Sequence, residues 1–200
     1  MPNVKTFPRV LSPADVDALL AAMRTERDKA MIEAMVFGGL RRCAVLGLRL
    51  EDVRLGECRL FINKGKGGGQ RLIPISSRFF STLWRYLDRE RPTDAGTDRV
   101  FVVLKGPRHG SPLSAHGLDE IVRGARARAG LRHATGHELR HTCFTPLREA
   151  GMSLEASQAQ AGHALIETTR VYLHLADDWL AAEYRKAADA IDAQSLKGTR

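Results

Sequence analysis

The 200-residue sequence has no apolar run approaching the roughly 18 residues that a membrane-spanning helix needs. Between Met1 and Arg9 there is no apolar segment of the kind a secretory leader carries, so neither a membrane span nor an export signal is expected. Cysteine is scarce, and Cys43, Cys58 and Cys143 are too few and too scattered for a disulfide scaffold. A balance of 44% hydrophobic and 27% charged residues excludes global disorder. What remains is the expectation of a soluble, basic, intracellular domain, long enough to bury a real core as one unit or two small ones. Acids are also in short supply: 23 Asp and Glu stand against 31 Lys and Arg, a net charge of +8. That excess favours a polyanionic partner, because each phosphate contact releases counterions, although solubility alone explains the same excess.

Along the chain, Ser12-Pro13-Ala14-Asp15 reads as a helix start, with Val16, Leu19, Leu20 and Met23 on one buried face. A second helix is expected at about 28–37, stopping at Gly38-Gly39, and a short third at 42–48. Between Arg59 and Ile75 the period changes. Two apolar runs flank Lys64-Gly65-Lys66-Gly67-Gly68-Gly69, which predicts a β-hairpin with a glycine-rich turn. Helix returns at 77–89 with Phe80, Leu83, Trp84 and Leu87 inward, and Val100–Leu104 is read as a third strand. Further helices are expected at 114–129, 136–150 (closed by Gly151), 154–161, 166–173 and 177–193, the last with Leu180, Tyr184, Ala188 and Ile191 on one stripe. The fold class is α+β, mainly helical with a small antiparallel sheet.

His137-Glu138-Leu139-Arg140-His141 matches H-E-x-x-H, in which two histidines one helical turn apart grip zinc and the glutamate acts as base. A third ligand is required, and the candidates are Glu149, Glu155 and His163. Arg140 inside the pattern argues against a dication, and the residues after His141 lack the H-x-x-G-x-x-H continuation of one large class. A zinc hydrolase is kept as an alternative.

A wider constellation surrounds that motif. Gly39-Leu40-Arg41, Gly65-Lys66-Gly67, His137-Glu138-Leu139-Arg140-His141-Thr142, Gly162-His163 and Tyr172-Leu173-His174 follow in order, with Tyr172 nine residues after His163. This closely resembles the catalytic domain of the tyrosine recombinases, the phage-integrase family, of the Xer-like kind, from about Ser12 to Ala193. The resemblance implies a DNA breaking-rejoining enzyme, a site-specific recombinase or integrase. In it a tyrosine oxygen attacks the scissile phosphate to give a 3′-phosphotyrosyl link and a free 5′-hydroxyl, with no cofactor and no metal.

Each matched position suits that chemistry. Arg41 and Arg140 offer permanently charged planar forks to the nonbridging oxygens. Tyr172 is the implied nucleophile and His137, three residues before Arg140, the candidate base. Lys66 can protonate the departing 5′ oxygen, and His163 can donate to a nonbridging oxygen or support the tyrosine. Arg42 is the rival of Arg41, and Lys64 of Lys66. Candidate DNA contacts are Arg42, Lys64, Arg71 and His141; His141 and His174 are otherwise read as structural or supporting groups.

Two departures from the family pattern bear on activity. Family members often brace the G-L-R arginine with an acid three positions on, where Ala44 stands here; either Arg41 is less well oriented or another acid, Glu51 or Asp52, braces it. Pro146 falls inside the helix that begins near His137, and a kink is expected there. Residues 1–11 are read as a leader, 12–193 as the catalytic domain and 194–200 as a tail, without the helical N-terminal DNA-clamping domain of the family. The implied partners are double-stranded DNA and, on it, further copies in a tetramer joined through the last helix; the alternative is that this helix packs on its own domain. The implied location is a prokaryotic cytoplasm, with the nucleoid. A DNA-binding relative that has lost cleavage is the second alternative.

Overall fold

The computed structural model describes residues 10–63, 70–162 and 173–197. Helix α1 (Pro13–Ala21) opens as its sequence requires: the Ser12 hydroxyl accepts from Asp15 N at 3.1 Å, and the Asp15 carboxylate accepts from Ser12 N at 3.2 Å. It buries Val16, Leu19 and Leu20. From Ala30 onward helix α2 (Glu26–Val36) is buried on every side: Ala30, Met31, Ile32, Ala34, Met35 and Val36 are apolar, with Glu33 buried among them. That is the composition of a central helix, and α2 packs against α4 (Ser77–Arg89) and α6 (Gly136–Glu149). The Glu90 carboxylate, just beyond α4, accepts from Glu26 N at 2.9 Å and Arg27 N at 3.0 Å, so it caps the start of α2.

Short helix α3 (Arg42–Gly47) leads into a three-stranded antiparallel sheet in the order β1-β2-β3. Its strands are β1 (Val53–Arg54), β2 (Arg59–Ile62) and β3 (Arg71–Pro74), with Leu60 opposite Ile73. Leu60, Ile62 and Ile73 turn into the main core, which also takes in Phe79, Phe80 and Leu83 of α4. Helix α5 (Ala115–Arg128) adds Leu118, Val122 and Ala125 to it. A second apolar cluster joins Cys143 and Leu147 of α6 and Ala156 of α7 (Leu154–Ala161) to Leu180, Tyr184 and Ala187 of α8 (Leu173–Lys197). The Tyr184 hydroxyl donates to Phe37 O at 2.8 Å, so α8 is fastened to the end of α2.

Three expectations need correction. Val100–Leu104 is not a strand: Val102 makes a single bridge to Pro112, flanked by Val103 N donating to Ser111 O at 2.8 Å and Leu113 N donating to Phe101 O at 3.1 Å, and the turn that follows, closed by Gly110 at φ +76°, ends the pairing there. Val100, Phe101 and Val102 are nonetheless buried. Trp84 is 51% exposed, because α4 turns Phe79, Phe80, Thr82, Leu83 and Tyr86 inward instead. The last helix starts at Leu173 rather than 177 and runs to Lys197. The segment expected as a short helix at 166–173 lies outside the described residues except for Leu173. Helix α6 continues through Pro146 to Glu149.

Tyr86 fixes the irregular segment to α4: its hydroxyl donates to Val100 O at 2.9 Å and accepts from Val102 N at 3.3 Å, fully buried. Tyr86→Phe leaves both backbone groups unpaired in the core and is expected to cost about 1–3 kcal/mol. Urea unfolding measures this, and a loss below about 0.5 kcal/mol contradicts the assignment.

Candidate functional site

The site is built on the turn that ends α2. Gly39 adopts φ +65°, and a Cβ there would stand 2.4 Å from the Phe144 ring, so only glycine lets the chain reverse against α6. The reversal buries Leu40 and delivers Arg41 as the extended residue that caps α3. It also turns the Gly39 carbonyl toward α6, where it accepts from Arg140 Nη1.

Arg140 donates its other terminal nitrogen to Ala161 O at 2.8 Å, and its guanidinium lies 5.1 Å from the Phe144 ring centre. Arg41 Nη1 reaches the same Ala161 carbonyl at 3.4 Å. Ala161 is the last residue of α7, so that oxygen has no partner within the helix and carries its negative dipole end. Gly162 closes α7 in the left-handed conformation, and Gln160 beside it donates from Nε2 to Gly38 O at 3.1 Å and Pro74 O at 2.9 Å. The end of α7 thereby ties the glycine turn to β3.

Carbonyl dipoles orient these two arginines without neutralising them. Among the described residues no carboxylate pairs with Arg41 or Arg140. The acids expected to brace Arg41 do not: the Asp52 carboxylate accepts from Arg49 N at 2.9 Å, and Glu51 is exposed. Ala44 is buried in α3. Burial, with Arg41 and Arg71 as neighbours, lowers the Arg140 guanidinium to about 10, so it remains charged at neutral pH. Burial pushes the neighbouring Cys143 thiol up to about 12, which keeps it protonated and out of any nucleophilic role.

His137 and His141 stand one turn apart on α6, with Nε2 atoms 2.9 Å apart and rings edge to face at 4.3 Å between centres. One ring donates and the other accepts, so both cannot be charged together without breaking the contact. Partial burial, His137 and Arg140 all lower the His141 pKa from its ordinary value. Glu138 is turned away: it accepts from Thr135 N at 2.9 Å as a helix cap, and its other oxygen faces His133 Nδ1 at 3.3 Å. That orientation removes the base a zinc hydrolase needs. Among the described residues no group of three His, Cys, Asp or Glu side chains is placed to hold a metal ion.

Arg41, Arg42, His137, Arg140 and His141 line one open cleft of about 920 Å³. Arg71 lies behind it in electrostatic contact with Arg41 and Arg140. Lys64, Lys66, His163 and Tyr172 lie outside the described residues, and His174 falls within α8. The cleft also holds Arg123 and Arg126 of α5 and Arg148 of α6, which the sequence reading missed, with Asp119 the acid on its wall, paired to Arg42. Helical spacing carried a signal for Arg148: His137, His141, Phe144 and Arg148 fall at i, i+4, i+7 and i+11. A cleft of this charge, floored by two fixed guanidiniums and edged by an imidazole pair, can hold a phosphodiester and exchange a proton beside it.

Residues 9–178 match the sequence pattern of the phage integrase family. The tyrosine recombinase XerD of Lacticaseibacillus casei is 36% identical over 189 residues, covering 90% of this chain and 63% of that protein. Among solved structures, XerA recombinase superposes with a TM-score of 0.73 at 27% identity, over 92% of this chain and 66% of the other. XerH site-specific recombinase bound to palindromic difH substrate, in a post-cleavage complex, gives 0.66 at 26% identity, over 90% and 54%. The chain spans under two thirds of the length of the curated relatives it matches.

The depressed His141 pKa sets a sign for pH dependence. Between the folded value and the ordinary value near 6.5, the unfolded chain binds more protons at this residue than the folded one, so His141 makes stability rise with pH across that window. NMR titration of the imidazoles is expected to show His141 with a midpoint below about 6.5. A midpoint above it contradicts the described geometry.

Proposed function

The chain belongs to the phage integrase family, and on that premise we propose that it carries the strand-cleaving chemistry of a site-specific DNA recombinase acting on double-stranded DNA. The Tyr172 oxygen attacks the scissile phosphorus while its proton passes to His137, and the P–O5′ bond breaks as Lys66 protonates the departing oxygen. The phosphodiester energy is kept in the 3′-phosphotyrosyl bond, and attack by a 5′-hydroxyl reverses the steps and rejoins a strand. Arg41 and Arg140 hold the nonbridging oxygens as charge grows there, and His163 donates to one of them.

The observation that carries this reading is the convergence of Arg41 and Arg140 on one main-chain oxygen, Ala161 O, with His137 three residues before Arg140 on the same helix. The guanidiniums are thereby fixed before a phosphate arrives and need no reorganisation in the transition state. His141 hydrogen-bonds His137 and, staying neutral, leaves it free to take a proton.

The arginines around the cleft fit a duplex backbone. We extend the proposal to a homotetramer assembled on DNA in the nucleoid, bearing in mind that the described part of α8 packs on α6, α7 and β3 of its own chain. Sedimentation with and without DNA separates a tetramer from a monomer.

Two experiments test the reading. Incubated with EDTA and a nicked duplex bearing a candidate site, the protein is expected to give a denaturation-stable covalent adduct that Tyr172→Phe abolishes. Arg140→Ala is expected to slow its formation by about 10²–10³-fold or more; the absence of any adduct from the folded wild type shifts the reading to a DNA-binding relative that does not cleave. In a second assay, Arg123→Ala and Arg126→Ala are each expected to flatten the dependence of log K on log salt by about 0.9. An unchanged slope removes those arginines from the DNA interface.

A further inference from the structure

Arg71 is the first residue of β3, paired across the sheet with Ile62, and its side chain does not stay with the strand. It reaches the end of α7, where its guanidinium lies against Gly162: a Cβ there would stand 2.4 Å from Arg71 Cζ and 2.4 Å from Nη1. Gly162 also sits at φ +63°. One glycine thus provides both the helix stop and the slot in which a second segment's guanidinium is seated.

In that slot Arg71 meets cations rather than acids. Arg41 and Arg140 are its charged neighbours, both repelling it, and among the described residues no carboxylate pairs with it. Its Nε is buried with no hydrogen-bond partner among the described residues. Like charges packed together with an orphaned donor are unfavourable in the free protein, so the arrangement calls for an anion that the chain does not supply.

We propose that Arg71, seated by Gly162, is a third phosphate-holding cation of the site, completing with Arg41 and Arg140 a trio that takes one phosphoryl group. This rests on the strand-cleaving reading for the identity of the phosphate, but not for the existence of the anion site. Arg41 and Arg140 share the Ala161 carbonyl one residue before Gly162, so the three guanidiniums surround the last residues of α7.

The test uses inorganic phosphate as probe, at constant ionic strength, on the whole chain and on Arg71→Met and Arg71→Lys. Phosphate is expected to raise the wild-type melting temperature, with the half-saturating concentration shifted upward by about 10- to 100-fold in Arg71→Met. Without phosphate, Arg71→Met is expected to melt at or above the wild type, because the repulsion is relieved. A packing role for Arg71 instead lowers the melting temperature and leaves the phosphate midpoint unmoved, and that result overturns the proposal. Arg71→Lys, which keeps the charge but not the fork, gives the same comparison if the methionine variant does not fold. In the nicked-duplex assay at saturating DNA, adduct formation is expected to slow by about 10- to 100-fold in Arg71→Met. Equal adduct rates and equal phosphate midpoints remove Arg71 while leaving the cleavage reading intact. No adduct from any protein, together with an Arg71-dependent phosphate midpoint, removes the cleavage reading and leaves the anion site standing.

Discussion

The hydrogen bonds from Arg140 to the carbonyls of Gly39 and Ala161 are the contacts on which the rest of the site depends. A carboxylate in either place would hold the guanidinium more tightly, but it would cancel the charge a phosphate must meet. A carbonyl dipole orients without cancelling. The cost is that Arg140, 8% exposed, keeps a whole positive charge in a partly dry setting beside Arg41 and Arg71. The surrounding helices offset that cost, for α2 and α6 pack closely on each other and the Phe144 ring covers one face of the guanidinium.

Much of the peripheral structure serves to aim those two carbonyls. The Gly39 oxygen points at α6 because the end of α2 is reversed by a left-handed residue, and Tyr184 of α8 is bound to Phe37 O just before the reversal. The Ala161 oxygen points inward because α7 stops where Gly162 stops it, and Gln160 fastens that end to the glycine turn and to β3 at once. Loss of the tertiary fit of α7 or α8 is therefore felt at the arginines, although neither helix supplies one.

Helix ends were legible because their physics is local. Ser12, Ser114 and Ser153 each cap the helix that follows, and the bounds of α4 and α7 follow from caps and apolar spacing. The sequence also carried the α+β class and the joining of Arg41, His137 and Arg140 in one place. What it hid was non-local. The buried run at Val100–Leu104 has strand composition, but its pairing with the segment around Pro112 is a single bridge long, and composition cannot report how far a pairing extends. The inward face of α4 was misjudged at Trp84 because Phe79 and Phe80 leave two faces equally apolar until packing against α2 selects one. Asp52 and Glu51 were the natural candidates to brace Arg41 because a reading of side chains can propose only side chains; the actual partner is a backbone oxygen 120 residues away.

That last point bears on how the chain tolerates mutation. Main-chain oxygens are common to every amino acid, so the acceptors that seat Arg41 and Arg140 survive almost any replacement that leaves the helix end in place. Genetic fragility is displaced from the partners of the arginines to the two residues that aim them, Gly39 and Gly162, each held at positive φ with a neighbouring side chain where a Cβ would go. Beyond the reacting side chains, random mutagenesis would find inactivating positions at these two glycines, which carry no functional group, while at buried Ala161, whose oxygen two arginines share, any residue small enough for the site would pass.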